Sequence, residues 1–274
     1  MSDSKRTRII GGICATVLAA LVLTPLLYCF VSSFYVEAQF YQRPVVLFPN
    51  PIDAANYAEA VTTAPILRFI FNSFFTAIVI MLSQLTTGSL AGYAFGCLKF
   101  KGQNTIFFLF LATMMIPGQA IIISNYLTIA NLRLVDTYWA LILPYLTSAF
   151  SVFNLRQAYK SIPHELFESA QIDGANSLQF LIRIGVPLTL PFLGSIGIYS
   201  FIQTYNQYLW PLLVVNSREM RTIQIGIGML KDEDSLAYGR VMAGTMMALV
   251  PSILIFLVGQ KTLISGLTNG AVKG

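Results

Sequence analysis

The chain has 274 residues, of which 55% are hydrophobic and 11% charged, with a formal net charge of +5. Soluble domains carry about 25% charged residues, so the deficit makes lipid the solvent for much of this chain. No basic run is interleaved with aromatics, which argues against a nucleic-acid partner. Cys14, Cys29 and Cys97 lie within or at the end of apolar runs without a C-x-x-C, and His164 is the only histidine, so neither a metal site nor a disulfide framework is expected.

A membrane-crossing helix needs about 20 mainly apolar residues. Ile9–Phe34 follows the basic "SKRTR", but it is too long for a signal-peptide core and no cleavage site follows, so it reads as a retained first span. Phe69–Leu98 is the second, and its Gly88, Gly92 and Gly96 share one helical face, where small residues let another helix approach closely. Whether that neighbour belongs to this chain or to another is open from the spacing.

Ile106–Ala130 is the third span. Pro117 and Gly118 should bend it, because proline removes a backbone donor. Gln119 and Asn125 follow the bend, which reads equally as a structural kink or as pathway lining. Tyr138–Leu155 is the fourth span, Leu188–Val215 the fifth and Val241–Leu263 the sixth. The fifth contains "FIQTYNQYLWPLL", in which Gln203, Tyr205, Asn206 and Tyr208 offer the donors, acceptors and flat faces that suit a polyhydroxylated solute. The competing reading is an aromatic belt at the outer interface. The expected fold class is all-α, a polytopic membrane protein with six transmembrane helices over residues 1–274 as a single membrane domain.

With the N-terminus in the cytoplasm, the inner side holds Lys5, Arg6, Arg8, Lys99, Lys101, Arg156, Lys160, Arg183, Lys261 and Lys273, which is 10 of the 17 Lys and Arg. This positive-inside bias places both termini in the cytoplasm. No charged residue falls mid-span, which weakens an ion-coupled secondary transporter. No glycine is followed by lysine, so a P-loop cannot occur, and H-E-x-x-H and G-x-S-x-G are absent too. A non-catalytic chain is expected.

Between the fourth and fifth spans, residues 161–187 are polar. Ser161 is expected to cap a helix with Pro163 in its first turn and Glu165 near its positive end. Phe167 and Ala170 share a face, Glu168 and Asp173 stay polar, and Gly174 should stop the helix. Asn176 or Ser177 then starts a second amphipathic piece, and Pro187 opens the fifth span. An acidic first helix is unlike a membrane-surface helix, which is usually basic.

The spacing Glu168-Ser169-Ala170, three residues, Gly174, nine residues, Ile184, one residue, Val186-Pro187 resembles the EAA loop of binding-protein-dependent ABC importer permeases. Ser169 and Val186 depart from that pattern. "NSFFTA" at 72–77, "YNQYLWPLL" and the tail "SGLTNGAVKG" are similar to the shorter, maltose-permease-like subunit of the carbohydrate-uptake type, and "NQYLWPLL" also resembles glycerol-phosphate permeases. The resemblance implies a cytoplasmic coupling helix in which Phe167, Glu168, Ser169, Ala170, Asp173 and Gly174 meet a separate ATPase. Phe167 and Ala170 would be the face seated on that ATPase. It also implies a second permease as heterodimer partner, an ATPase dimer and an extracytoplasmic solute-binding protein. ATP and Mg would be held on the ATPase and no cofactor on this chain. The implied location is a bacterial-type cell membrane, and the implied function is sugar import by alternating access. A glycerol-3-phosphate permease is the alternative, and a stand-alone secondary transporter a more distant one.

Overall fold

The computed structural model describes residues 2–231 and 237–271, and among these only helices, turns and irregular connections occur. A helix satisfies its own backbone polar groups, which lipid cannot do. In chain order the helices are α1 (Ser2–Ser32), α2 (Ala55–Thr63), α3 (Ile66–Cys97), α4 (Gln103–Ala112), α5 (Ile122–Asn131), α6 (Tyr138–Ile142) and α7 (Ala149–Lys160). They continue with α8 (His164–Ile172), α9 (Ser177–Phe180), α10 (Val186–Leu188), α11 (Leu190–Tyr205), α12 (Leu209–Val214), α13 (Ile223–Gly228) and α14 (Tyr238–Ala271). A π-helical turn, Leu181–Gly185, joins α9 to α10.

Among the described residues α1, α3 and the start of α14 are each long and apolar enough to cross a membrane, and the count reaches up to 6 if each of three bent pairs is one span. The bends are 89° between Gln103–Met115 and Gly118–Asn131, 46° between Tyr138–Tyr145 and Ala149–Lys160, and 80° between Ser177–Leu188 and Leu190–Tyr205. The first follows from Pro117 as expected: Ile116, just before it, is extended (φ −84, ψ 117).

The fifth segment differs from the expected single rod over Leu188–Val215. Pro187 lies inside α10, and the chain turns at Thr189, so that Pro191 falls in the first turn of α11. A proline there lacks only a donor that a first turn leaves unused. The same rule ends α11 at Asn206: Pro211 could not donate to the Gln207 carbonyl, so the helix restarts at Leu209 with Pro211 in its first turn.

The chain forms two compact units. One comprises Met1–Leu67 with Gly226–Val250, the other Arg68–Ile225 with Pro251–Gly274. In the first, buried Asn56 donates to the Ser33 and Tyr35 carbonyls, both at 2.9 Å. Arg240 is also buried there and donates to the Leu230 carbonyl (2.9 Å) and to Thr63 Oγ1 (3.1 Å). The most apolar window of α1 buries none of its length, leaving it for lipid or a partner chain.

The second unit has a core of Tyr93, Leu155, Tyr159, Phe180, Leu181 and Leu193. Its central packing is α3 against α7. A methyl on Gly92 would lie 2.8 Å from the Arg156 nitrogen, and one on Gly88 would lie 3.2 Å from Ser151 Cβ. One on Gly96 would lie 3.2 Å from the Arg156 oxygen. The glycine face therefore packs on this chain's own α7, which closes the question that spacing left open. Gln84 Nε2 donates to the Tyr145 carbonyl (2.9 Å) and Ser83 Oγ to the Leu146 carbonyl (2.7 Å). These supply donors to carbonyls at the break between α6 and α7.

Candidate functional site

The segment α8–α10 is held by caps at its breaks and by Ala170, Phe180 and Leu181 in the core. Ser161 does not start it. It closes α7, with its hydroxyl donating to the Ala158 carbonyl at 2.7 Å, and α8 begins after Pro163. Gly174 ends α8 with φ +81, the Gly174 nitrogen donating to the Gln171 carbonyl (3.0 Å) and the Ala175 nitrogen to the Ala170 carbonyl (2.9 Å). These are the paired bonds of a Schellman cap, and the left-handed conformation favours glycine. Asn176 then caps α9 reciprocally: its side chain accepts from the Gln179 nitrogen (2.8 Å) while Gln179 Oε1 accepts from the Asn176 nitrogen (2.9 Å).

The two faces of α8 are unlike. Ala170 is buried in the core, and the Phe167 ring meets Phe180 edge-on at 5.1 Å and 81°. Within this chain Ala170 is buried and the half-buried Phe167 packs on Phe180, so the apolar stripe of α8 already has an apolar surface against it. Glu165, Leu166, Glu168, Ser169, Asp173 and Gly174 are exposed, and Ile172 is 86% exposed. His164 Nδ1 lies 3.3 Å from Glu168 Oε1 on that outer surface.

The expected pathway residues divide. Tyr205 is 1% exposed and stacks on Phe201 at 5.6 Å and 16°, so in this structure its ring is part of the core. Its flat face suggested ligand contact, but the same face packs equally well in a core. Trp210 is likewise buried, its Nε1 donating to the Ala140 carbonyl at 3.0 Å. Gln203, Asn206 and Tyr208 are exposed, as is Gln119 at the bend before α5, while Asn125 is half-buried. Asn206, freed by the end of α11, accepts from Gln224 Nε2 at 2.9 Å. Gln224 was missed by sequence reasoning, and so was Ser200, which donates to Gln84 Oε1 at 2.7 Å. Only the polarity of Gln84 and Ser200 in apolar helices could have flagged them.

Residues 84–261 match a family model described as the binding-protein-dependent transport system inner membrane component. The chain belongs to this family. The permease is 33% identical over 260 residues to the arabinooligosaccharides transport system permease protein AraQ of Halalkalibacterium halodurans, covering 94% of this chain and 93% of that one. It is 34% identical over 258 residues to the sn-glycerol-3-phosphate transport system permease protein UgpE of Escherichia coli O1:K1, covering 91% and 92%. Its fold matches a chain in the crystal structure of a bacterial ABC transporter involved in import of the acidic polysaccharide alginate, with a TM-score of 0.83, 23% identity and coverage of 95% and 98%. A second match is to the alginate transporter in complex with its alginate pentasaccharide-bound periplasmic protein, with a TM-score of 0.67 and 16% identity over 94% of each chain. The permease is therefore a transport component of the inner membrane, and its helical fold is that of an ABC importer permease.

Proposed function

We propose that this permease is one membrane half of an ATP-driven importer for a carbohydrate, with six spans, both termini in the cytoplasm and α8 as the coupling helix. The reading is carried by α8: a helix locked to its own core by Ala170 and Phe167, closed by the Gly174 cap, and presenting Glu168, Ser169, Ile172 and Asp173 outward. A separate ATPase would hold ATP and Mg, and its closure on nucleotide would move α8 as a rigid lever. The permease alternates between outward- and inward-open states in response. A second permease chain, an ATPase pair and an extracytoplasmic binding protein complete the assembly.

The names of AraQ and UgpE support a sugar, with glycerol-3-phosphate as the second reading. An anionic solute gains most from arginine in its path, and the exposed polar groups at the end of α11 are the neutral Gln203, Asn206 and Tyr208. That favours a neutral saccharide. Gly174→Arg tests the coupling role. A methyl at Gly174 would meet nothing within 4 Å, but its φ of +81 strains any side chain there, so the substitution both obstructs the docking surface and weakens the cap of α8. Membrane insertion should persist while ATPase association and uptake are lost. Normal uptake and association would refute the coupling role.

A further inference from the structure

Beside the seat of α8 the second unit contains a cavity of about 460 Å³ between the end of α3, the start of α4, the end of α7 and α8. That volume falls in the range of small-ligand sites, about 300–1,000 Å³. Lys99, Arg156, Lys160 and His164 line it together with the amides of Gln103 and Asn104, and no carboxylate does.

Arg156 is half-buried and fixed. Its Nε donates to the Phe95 carbonyl at 2.9 Å, and its guanidinium carbon sits 4.0 Å from the Phe107 ring centroid. One of its five N–H donors is thus spent, and those on the terminal nitrogens remain. Among the described residues Lys99, Arg156 and Lys160 have no carboxylate partner. Glu168 is not in the lining, though its Oε1 lies 3.3 Å from Nδ1 of the lining His164. The positive-inside bias explains the sign of these charges. It does not explain their gathering around a concavity whose half-buried arginine is pre-oriented by a carbonyl and an aromatic ring. A cleft lined by one sign of charge concentrates ions of the other sign.

We propose that this cavity binds a phosphate group on the coupling-helix side of the permease, carried by an anionic lipid or by a soluble phosphorylated metabolite. Arg156 is the planar donor at the base, and Lys99 and Lys160 are the point charges beside it. Phe95, Ile162 and Phe180 offer apolar wall for the remainder of the ligand. Pro163, His164 and Phe167 of the α8 region share the lining, so occupancy braces α8 against its seat. Regulation of transport through that brace rests on the coupling reading; phosphate binding does not.

The test uses the full permease, in its complex where it assembles, with two probes. Native mass spectrometry reads retention of phosphatidylglycerol against phosphatidylcholine. Phosphorus NMR of inorganic phosphate, with the protein in phosphatidylcholine nanodiscs, reads the soluble arm. One probe should bind, and Lys99→Gln with Lys160→Gln should weaken it by about tenfold or more, since each charge-assisted contact is worth about that factor. Lys101→Gln, outside the lining, should leave binding unchanged, and the paired Lys→Arg variant should retain it. Selective lipid retention identifies the lipid source, and phosphate binding without it identifies the soluble one. Binding of neither probe, or binding unchanged in the double Lys→Gln variant, overturns the proposal. Because these readouts measure binding, they are independent of the uptake defect that tests Gly174.

Discussion

On the glycine face of α3, Gly92 is the position where a single methyl should do most harm. An alanine Cβ there would lie 2.8 Å from the Arg156 nitrogen and 3.0 Å from the Leu155 carbonyl carbon, both backbone atoms of α7. Optimal contacts between carbons lie at about 3.5–4.0 Å, so α3 and α7 must part by about 0.7 Å or more. Overpacking of this kind costs about 1–3 kcal/mol, and the helix propensity of alanine returns up to about 1 kcal/mol. The expected net loss is about 1–2 kcal/mol, or a few degrees in the unfolding midpoint of the detergent-purified chain. At Gly96 the nearest atoms are the Arg156 oxygen at 3.2 Å and the flexible Lys160 Cγ at 3.5 Å, so Gly96→Ala should be close to neutral. Gly88→Ala should fall between, because its nearest contact is the tip of Leu155 at 3.0 Å. Unfolding midpoints for the three variants give the ranking. A Gly92→Ala chain as stable as wild type, or a less stable Gly96→Ala, would refute this packing argument.

Burial pushes the Asp136 carboxyl up, but donation from the Ser217 backbone and hydroxyl and the Asn216 backbone outweighs it and leaves its pKa below the ordinary 3.8. Its contribution to stability is therefore full above that value and lost as pH falls through the lower folded value. Asp136→Asn should reduce the acid-induced drop in unfolding midpoint between pH 5 and 3, relative to wild type (roughly the window set by a carboxylate). Buried Asn72 donates to the Glu219 and Arg221 carbonyls at 2.7 and 2.9 Å and accepts from the Tyr138 hydroxyl at 2.6 Å. Asn72→Ala leaves those partners unsatisfied and should cost about 1–3 kcal/mol, measured by the same melt. Ile172→Glu changes an 86% exposed side chain, so stability should stay within about 0.5 kcal/mol while ATPase co-purification falls.

Features set by local backbone chemistry were legible in the sequence. Pro117 bends the chain between α4 and α5, Gly174 ends α8 in the left-handed region, and the four-residue glycine spacing forms a packing face, because each depends on residues near in the chain. Features that depend on where a face ends up were not. A helical stripe containing Phe167 and Ala170 looks the same whether it seats on a partner or on Phe180 of its own chain. Tyr205 carries the same ring in a pathway or in a core. The bond from Ser200 to Gln84 spans 116 residues, and the basic cavity exists only once α3, α4, α7 and α8 converge. The starts of α11 and α12 could have been read better: Pro191 and Pro211 each demand a first-turn position.

The most direct measurement is affinity isolation of the tagged permease from its native membrane, with wild type and Ile172→Glu side by side, followed by identification of the recovered chains. Recovery of a second multi-span permease and an ATPase with wild type, and loss of the ATPase alone with Ile172→Glu, is the result this account predicts. Wild type recovered alone or as a homodimer, with uptake intact and driven by an ion gradient, would contradict it.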